Sequence, residues 1–133
     1  MTNITQIISA DVSEPDPNIF SNCLKIGDQL FLSGMTAGDN KGGVLGDGSA
    51  EDQARQCLNK IKTLVEEAGG TLSDVVKLTV YLTDINNRID FGKVRKEYFS
   101  GVMPCSTLIE VSRFVQPDLI VEVDAIAMLN AST

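Results

Sequence analysis

The side chain best placed for acid–base chemistry is Glu122, within the apolar run Val121-Glu122-Val123-Asp124-Ala125. An unpaired charge is costly among valines. Glu122 is therefore either a functional acid that holds water, or an interface residue whose carboxylate is hydrogen-bonded or solvated. The residues alone leave both interpretations of Glu122 open, and we favour a structural role for Asp124.

The sequence contains no histidine. This absence excludes Ser–His and Cys–His nucleophile pairs, the common neutral-pH general base and the usual zinc ligand. The three cysteines, Cys23, Cys57 and Cys105, are widely spaced and form no C-x-x-C pair, so neither a disulfide framework nor a thiolate metal site is indicated. We interpret them as small buried residues, and we predict chemistry without a cofactor or a metal.

Two arginines near predicted strand ends, Arg88 and Arg113, are the candidate cations for a cleft. Arg88 lies in the loop before the second predicted helix, and Arg113 follows the strand that contains Glu110-Val111. Such residues are more often solvated loop charges, and we favour that interpretation for both.

Composition places the chain among globular proteins, with 43% hydrophobic and 22% charged residues in 133. We expect one domain over residues 1–133. Eleven basic against 18 acidic residues give a net charge of −7, which repels phosphate backbones and argues against a nucleic-acid partner. No apolar run is long enough to cross a bilayer, and no secretory signal opens the chain. We therefore expect no membrane association and a cytoplasmic location.

Periodicity predicts six strands and two helices in the order β-β-β-α-β-α-β-β. The first helix is the clearest, with Ser49 as N-cap, Asp52 as the capping-box acid and Gly69-Gly70 as the stop. The second helix starts at Asn86-Asn87. The predicted strands are Ile4–Ser9, Cys23–Ile26, Leu30–Ser33, Val75–Leu82, Thr107–Val111 and Leu119–Met128, and residues 34–48 form a long glycine-rich loop.

This order is typical of an α+β fold in which two helices cover one face of a sheet. In the last strand, Val121, Val123 and Ala125 suit the helix-covered face. Ile126 and Met128 alternate with them and leave an apolar opposite face, which usually marks an interface. We therefore predict a homo-oligomer, with Glu122 and Asp124 near its subunit boundary.

Several segments resemble the Rid family, also called the YjgF or L-PSP family, in the family's own order from about residue 18 to about residue 128. The matching segments are Ser33-Gly34, Gln53 to Ile61, Glu67-Ala68-Gly69-Gly70, Asp74 to Asp84, Pro104, Ile109-Glu110-Val111 and Val121 to Ala127. The resemblance implies a chorismate-mutase-like homotrimer with ligand clefts between subunits. It also implies hydrolysis of enamines and imines to a carbonyl compound and ammonia. That chemistry suits a chain without histidine, because a protonated imine is already electrophilic and needs only a held water and a carboxylate.

The resemblance assigns candidate roles residue by residue. Glu122 matches the glutamate that helps position the attacking water, and Ser33 and Gly34 match residues that line the cleft. Phe20 stands where active deaminases often have tyrosine, and Ser106 stands where they have an arginine that binds the substrate carboxylate. Glu122 is thus the catalytic candidate, and the candidate substrate-binding set is Phe20, Ser33, Gly34, Ser106, Cys105 and Arg88. Gly92 stands where many members of the family have asparagine.

Ser106 bears directly on specificity, because serine cannot make the bidentate contact that arginine makes to a carboxylate. We expect weak hydrolysis of 2-imino acids, and a ligand that is neutral or places its acid group elsewhere, for example toward Arg88. Two functions remain open: an enamine or imine deaminase with altered preference, and a non-catalytic trimer that binds a small metabolite in the same cleft. A ribonuclease is disfavoured by the net charge of −7 and the absence of histidine.

Overall fold

A computed structural model describes residues 3–132 of the chain. Its strands are β1 (Ile4–Gln6), β2 (Cys23–Ile26), β3 (Gln29–Met35), β4 (Val75–Leu82), β5 (Cys105–Glu110) and β6 (Val121–Met128), and its α-helices are α1 (Ala50–Glu67) and α2 (Arg88–Tyr98). Short 3₁₀ turns precede β4 and α2. The predicted element order is confirmed, and the fold is an α+β fold with a mixed sheet and two helices.

Helix α1 begins as its sequence predicts. The Ser49 hydroxyl accepts a hydrogen bond from the Asp52 backbone N–H at 3.1 Å, and Gly69 ends the segment with a φ of +92°. The Asp52 carboxylate binds the Asp47 N–H at 2.9 Å, so it fastens the preceding loop and does not close a capping box on Ser49. One stripe of α1 is fully buried in the core, and it includes Ala54, Cys57, Leu58, Ile61, Leu64 and Val65.

The six strands form one sheet in the order β1-β2-β3-β6-β4-β5. Neighbours are antiparallel except β4 and β5, which are parallel and are connected through α2. Strands β2 and β3 form a hairpin whose turn contains Gly27 at a φ of +59°, a conformation that glycine adopts without strain. The central position of β6, between β3 and β4, explains why alternate side chains along it are fully buried.

Successive side chains of β6 point to opposite faces of the sheet, as the alternation of residue types along this strand predicts. Val121, Val123, Ala125 and Ala127 are at most 1% exposed and join the core under the helices. The side chains between them are only partly buried. Ile126 and Met128 lie on this open face together with Phe31, which pairs with Ile126 and is 39% exposed.

The structure differs from the prediction at several boundaries. Strand β1 ends at Gln6, β3 continues to Met35, and Gly34 is therefore a strand residue. Arg88 is the first residue of α2, since a 3₁₀ turn over Ile85–Asn87 takes the place of the predicted helix start.

The interpretation of Cys105 as a buried residue is wrong, whereas it is right for Cys23 and Cys57. Cys105 begins β5, an edge strand with no neighbour on its outer side, and is therefore exposed. By contrast, burial raises the pKa of the Cys57 thiol to about 12. No helix within residues 3–132 combines the length and the apolar character needed to cross a membrane.

Candidate functional site

Three of the predicted site residues, Phe20, Gly34 and Glu122, line one pocket of about 430 Å³. We call it the Glu122 pocket. Its wall combines β3, β6 and the loops before β2 and after β5. The other lining residues are Val12, Ser13, Pro15, Asn22, Met35, Thr36, Asn40, Lys60, Arg113, Phe114, Val115 and Leu119.

An irregularity in the pairing of β3 with β6 shapes the floor of this pocket. Leu32 pairs with Ala125 and Met35 pairs with Val123, so β3 has one more residue than β6 over this stretch. Such β-bulges bend a strand and redirect its side chains. Here the bulge places the backbone of Gly34 directly beneath Glu122.

Gly34 leaves the space that the Glu122 side chain occupies. A Cβ at position 34 would lie 2.6 Å from the Glu122 Cδ and 2.7 Å from its Oε2. Both distances are below the roughly 3.0 Å that a Cβ atom keeps from its non-bonded neighbours in real proteins. The carboxyl group of Glu122 therefore lies against bare backbone, and any side chain at position 34 would displace it.

The Glu122 carboxylate is partly buried and accepts no hydrogen bond and no ion pair from residues 3–132. Burial raises the pKa of Glu122, and the negative charge of Asp124 raises it further. Such perturbation is characteristic of groups that exchange protons in catalysis. The environment therefore suits a carboxyl that takes and returns a proton.

Asp124 has a structural partner, as predicted. Its carboxylate accepts a hydrogen bond from the Tyr81 hydroxyl of the neighbouring strand at 2.9 Å. This bond is the first cause of the raised pKa of Tyr81, followed by burial. This hydrogen bond holds the Asp124 side chain in one position on the sheet face that also carries Glu122.

Ser33 does not line the pocket, although it directly precedes Gly34. Its hydroxyl donates to the Ser21 carbonyl at 2.6 Å, and its N–H donates to the Asn22 carbonyl at 2.8 Å. These bonds hold the loop before β2 against β3. Ser33 therefore positions the wall that includes Phe20.

Two polar residues of α1 fasten the remaining walls, and the sequence analysis assigned neither of them to the site. The Lys60 ammonium donates to the carbonyls of Thr36 and Gly38 at 2.7 and 2.8 Å, and burial lowers the pKa of Lys60. The Gln53 amide is fully buried and donates to the Asp118 carbonyl at 2.8 Å. A polar side chain next to the apolar stripe of α1 is the sequence signal that points to such roles.

Arg88 and Ser106 lie elsewhere, in a shallow depression of about 450 Å³ between α2 and β5. We call it the α2 depression. Ser106 pairs with Leu78 in the parallel ladder and shares its helix-covered face, whereas Glu122 is on the open face. The two groups of predicted residues therefore line different cavities of one chain.

Arg95 is the residue of the α2 depression that the sequence analysis missed. Its Nη1 donates to the Ser106 hydroxyl at 2.9 Å, and its guanidinium carbon lies 4.9 Å from the centre of the Phe91 ring. Helical spacing was the available signal, because Arg88, Gly92 and Arg95 recur at i, i+4 and i+7 on one face.

Cys105 lines a third, apolar depression with Val76, Val102 and Met103. It pairs with Lys77, so its side chain and that of Ser106 point to opposite faces. Within residues 3–132, no three His, Cys, Asp or Glu side chains cluster closely enough to hold a metal ion.

Fold and site together define an α+β protein with a carboxyl pocket on a bulged mixed sheet. Residues 13–129 match the family described as endoribonuclease L-PSP. A RutC family protein of Pyrococcus horikoshii is 41% identical over 108 residues, which cover 81% of this chain and 85% of that one. The chain belongs to the L-PSP family, as its resemblance to Rid proteins predicts.

Solved structures agree with this assignment. A protein of unknown function from Pseudomonas aeruginosa is 39% identical, with a TM-score of 0.86 and coverage of 98% of this chain and 95% of that one. RidA from Psychrobacter sp. PAMC 21119 is 29% identical, with a TM-score of 0.82 over 94% of this chain and all of that one.

Proposed function

We propose that the Glu122 pocket hydrolyses a reactive imine, or the enamine that tautomerises to it, to a carbonyl compound and ammonia. The single observation that carries this proposal is the Glu122 carboxyl, which has a raised pKa, lies over bare backbone at Gly34 and has no bound partner among residues 3–132. Similarity to a RidA protein supports the same reaction class.

The reaction needs little beyond this carboxyl group. Glu122 accepts a proton from water as the water oxygen attacks the protonated C=N carbon, which gives a carbinolamine. Glu122 returns this proton to the nitrogen, and the C–N bond breaks as ammonia leaves. Glu122 then accepts the hydroxyl proton of the former carbinolamine, so that the carbonyl forms, and passes it to the departing ammonia. One imine and one water yield one carbonyl compound and one ammonia, and a general acid–base group of this kind typically contributes a factor of about 10² to 10⁴.

The proposed assembly is a homotrimer. It would bury the open face that carries Phe31, Ile126 and Met128, which is apolar and partly exposed in one chain. It would also allow β5 of one subunit, an edge strand, to approach the Glu122 pocket of another. Residues that line separate cavities in one chain would then form one cleft between subunits.

A second function is favoured by two specific departures. Phe20 supplies no hydroxyl to the pocket, and Ser106 supplies no charge. These departures favour a non-catalytic trimer that binds a small metabolite in the same cleft. The family description also mentions ribonuclease activity, but a net charge of −7 and the absence of histidine make RNA cleavage a poor fit.

The decisive experiment compares Glu122→Gln with the wild-type protein. The assay follows the loss of imines generated in situ, by an amino-acid oxidase for 2-imino acids and by an amine oxidase for neutral imines. We expect Glu122→Gln to lower turnover by roughly 10² to 10⁴. Glu67→Gln removes the same charge from an exposed position at the end of α1 and should leave turnover unchanged. No turnover of any imine by the wild-type protein would favour the metabolite-binding function, and equal turnover in the Glu122→Gln and wild-type proteins would give Glu122 a structural role.

A further inference from the structure

We infer that Arg95, with Arg88, forms a carboxylate-binding subsite in the α2 depression, and that Arg95 supplies from α2 the positive charge that Ser106 does not supply from β5. This inference rests on the proposed function in one respect, since it makes a carboxylate-bearing imine the substrate class. The binding of a carboxylate itself is independent of turnover.

Charge distribution is the first argument. The chain carries only 11 basic residues and a net charge of −7, yet three basic residues, Arg88, Arg95 and Lys96, line this one depression and no acid does. The other lining residues, Gly92, Met103, Ser106 and Leu108, are uncharged, so the only charged groups in this wall are cations, and an anion is attracted to such a place in an otherwise acidic protein.

The state of the Arg95 guanidinium is the second argument. It makes no ion pair within 4.0 Å among residues 3–132, while Arg55 on α1 pairs with both Glu51 and Glu97. The Arg95 Nε is buried and has no hydrogen-bond partner among the described residues. An unpaired buried donor is costly, so a bound carboxylate that accepts from this Nε would remove an existing penalty.

The orientation of the guanidinium is the third argument. Its Nη1 is held by the Ser106 hydroxyl at 2.9 Å, and Phe91 packs 4.9 Å from its central carbon. These contacts restrain the planar group, and an arginine held in this way loses less entropy when it binds a carboxylate with two parallel hydrogen bonds. The positive charge of Arg95 therefore lies within hydrogen-bonding distance of the Ser106 side chain.

Neighbouring acids do not compete for this charge. Asp90 forms an ion pair with Lys93 at 3.8 Å. The Glu110 carboxylate accepts the Ile85 N–H at 2.9 Å, and neither Asp90 nor Glu110 lies within 4.0 Å of a basic nitrogen of Arg95. The depression also has room, because Gly92 presents no side chain where α2 passes over it.

The test measures binding of 2-oxobutanoate, with butan-2-one as its uncharged counterpart, by amide chemical-shift titration of the full chain. We expect 2-oxobutanoate to shift the amides of residues 88–96 and 106, and butan-2-one to leave them unchanged. Arg95→Gln should weaken binding by roughly 10- to 100-fold, as expected for a lost charged hydrogen bond. Arg95→Lys keeps the positive charge but lacks the planar guanidinium that makes two parallel hydrogen bonds. Its affinity for 2-oxobutanoate should therefore lie between those of the wild type and Arg95→Gln.

Two further variants distinguish a specific effect on binding at the subsite from an effect that acts through the fold or the net charge of the protein. Arg88→Gln alters an exposed side chain and should weaken binding without perturbing the fold. Lys62→Gln removes one charge from the exposed side of α1 and should leave affinity within about twofold of wild type, since distant surface charges are screened. Undetectable binding of 2-oxobutanoate to the wild-type protein, or equal affinity in Arg95→Gln, would overturn the inference.

Turnover separates this inference from the proposed function. Ser106 alone predicts weak hydrolysis of 2-iminobutyrate, whereas the Arg95 subsite predicts hydrolysis that Arg95→Gln lowers selectively over that of a neutral imine. Binding that depends on Arg95 together with turnover that ignores Glu122 would uphold the subsite and refute the proposed reaction. Turnover that depends on Glu122 with binding that ignores Arg95 would do the reverse.

Discussion

The Glu122 carboxyl lies so close over Gly34 that a methyl group at position 34 would stand 2.6 Å from the Glu122 Cδ. The obstructing atoms belong to the end of a flexible side chain, so Gly34→Ala can be accommodated if Glu122 rotates away. We expect this variant to fold with near-wild-type stability and to lose roughly 10- to 100-fold in turnover, the cost of misplacing a reacting group by about 1 Å. Thermal unfolding and the imine assay measure the two effects.

A double-mutant cycle shows whether Gly34 acts through Glu122. If Gly34→Ala acts only by displacing that carboxyl, it should cause no further loss in the Glu122→Gln background, because groups that act as a unit are not additive. An equal loss in both backgrounds would instead mean that Gly34 serves the pocket in another way, for example by admitting the substrate.

The raised pKa of Glu122 predicts the acid limb of the pH–rate profile. Glu122 must be ionised to accept a proton, so kcat/KM should fall as the pH drops through a value above the ordinary 4.5 of a glutamate. Asp124→Asn removes the neighbouring negative charge and should move this limb to lower pH. A limb that stays in place in Asp124→Asn, or persists in Glu122→Gln, would assign it to a different group.

The same shift has a consequence for stability, with a definite sign. A carboxyl whose pKa is higher in the folded than in the unfolded state favours folding at low pH, and that contribution is lost as the pH rises through the folded value. Wild-type protein should therefore lose more unfolding free energy than Glu122→Gln between about pH 4 and about pH 7. Urea denaturation at several pH values gives the comparison, with Glu67→Gln as the matched control.

An arginine introduced at position 106 should not strengthen carboxylate binding by itself. The Ser106 hydroxyl is 2.9 Å from the Arg95 Nη1, so Ser106→Arg would bring two guanidinium groups together, and like charges at this distance repel. We expect Ser106→Arg to lower the melting temperature without raising 2-iminobutyrate hydrolysis. Combining Ser106→Arg with Arg95→Gln removes the repulsion and should recover both the melting temperature and 2-iminobutyrate hydrolysis. An increase in hydrolysis in Ser106→Arg alone would contradict this prediction.

The proposed trimer predicts a solution mass of about three times the 14.3 kDa of one chain. Ile126 lies on the open face beside Phe31, so Ile126→Glu should introduce charges into the interface and shift the protein toward monomers, since buried unpaired charges are costly. Lys62→Glu, on the exposed side of α1, should not. Light scattering at micromolar concentration measures the mass, and a monomeric wild-type protein would refute the assembly and the cleft between subunits.

Local patterns predicted most of the fold because burial imposes a period on the sequence. Helix α1 and strand β6 each place apolar side chains on one face, and both were identified from spacing alone. Edge strand β5 was harder to predict from the sequence, since its residues are exposed along almost its whole length. The alternation expected of a half-buried strand is absent there, and both its start and the exposure of Cys105 escaped prediction.

The sequence by itself determined the α+β class and the two-faced sheet, because each follows from residue types at fixed local spacing, and its resemblance to Rid proteins made Glu122 the candidate acid. Only the tertiary structure decided that Gly34 lies beneath Glu122, that Ser33 supports the wall instead of lining it, and that Arg95 reaches Ser106. These relationships depend on a one-residue bulge between β3 and β6 and on the register of α2 over β5. Pairing across segments far apart in the chain sets both of them, and no local period of the sequence encodes such pairing.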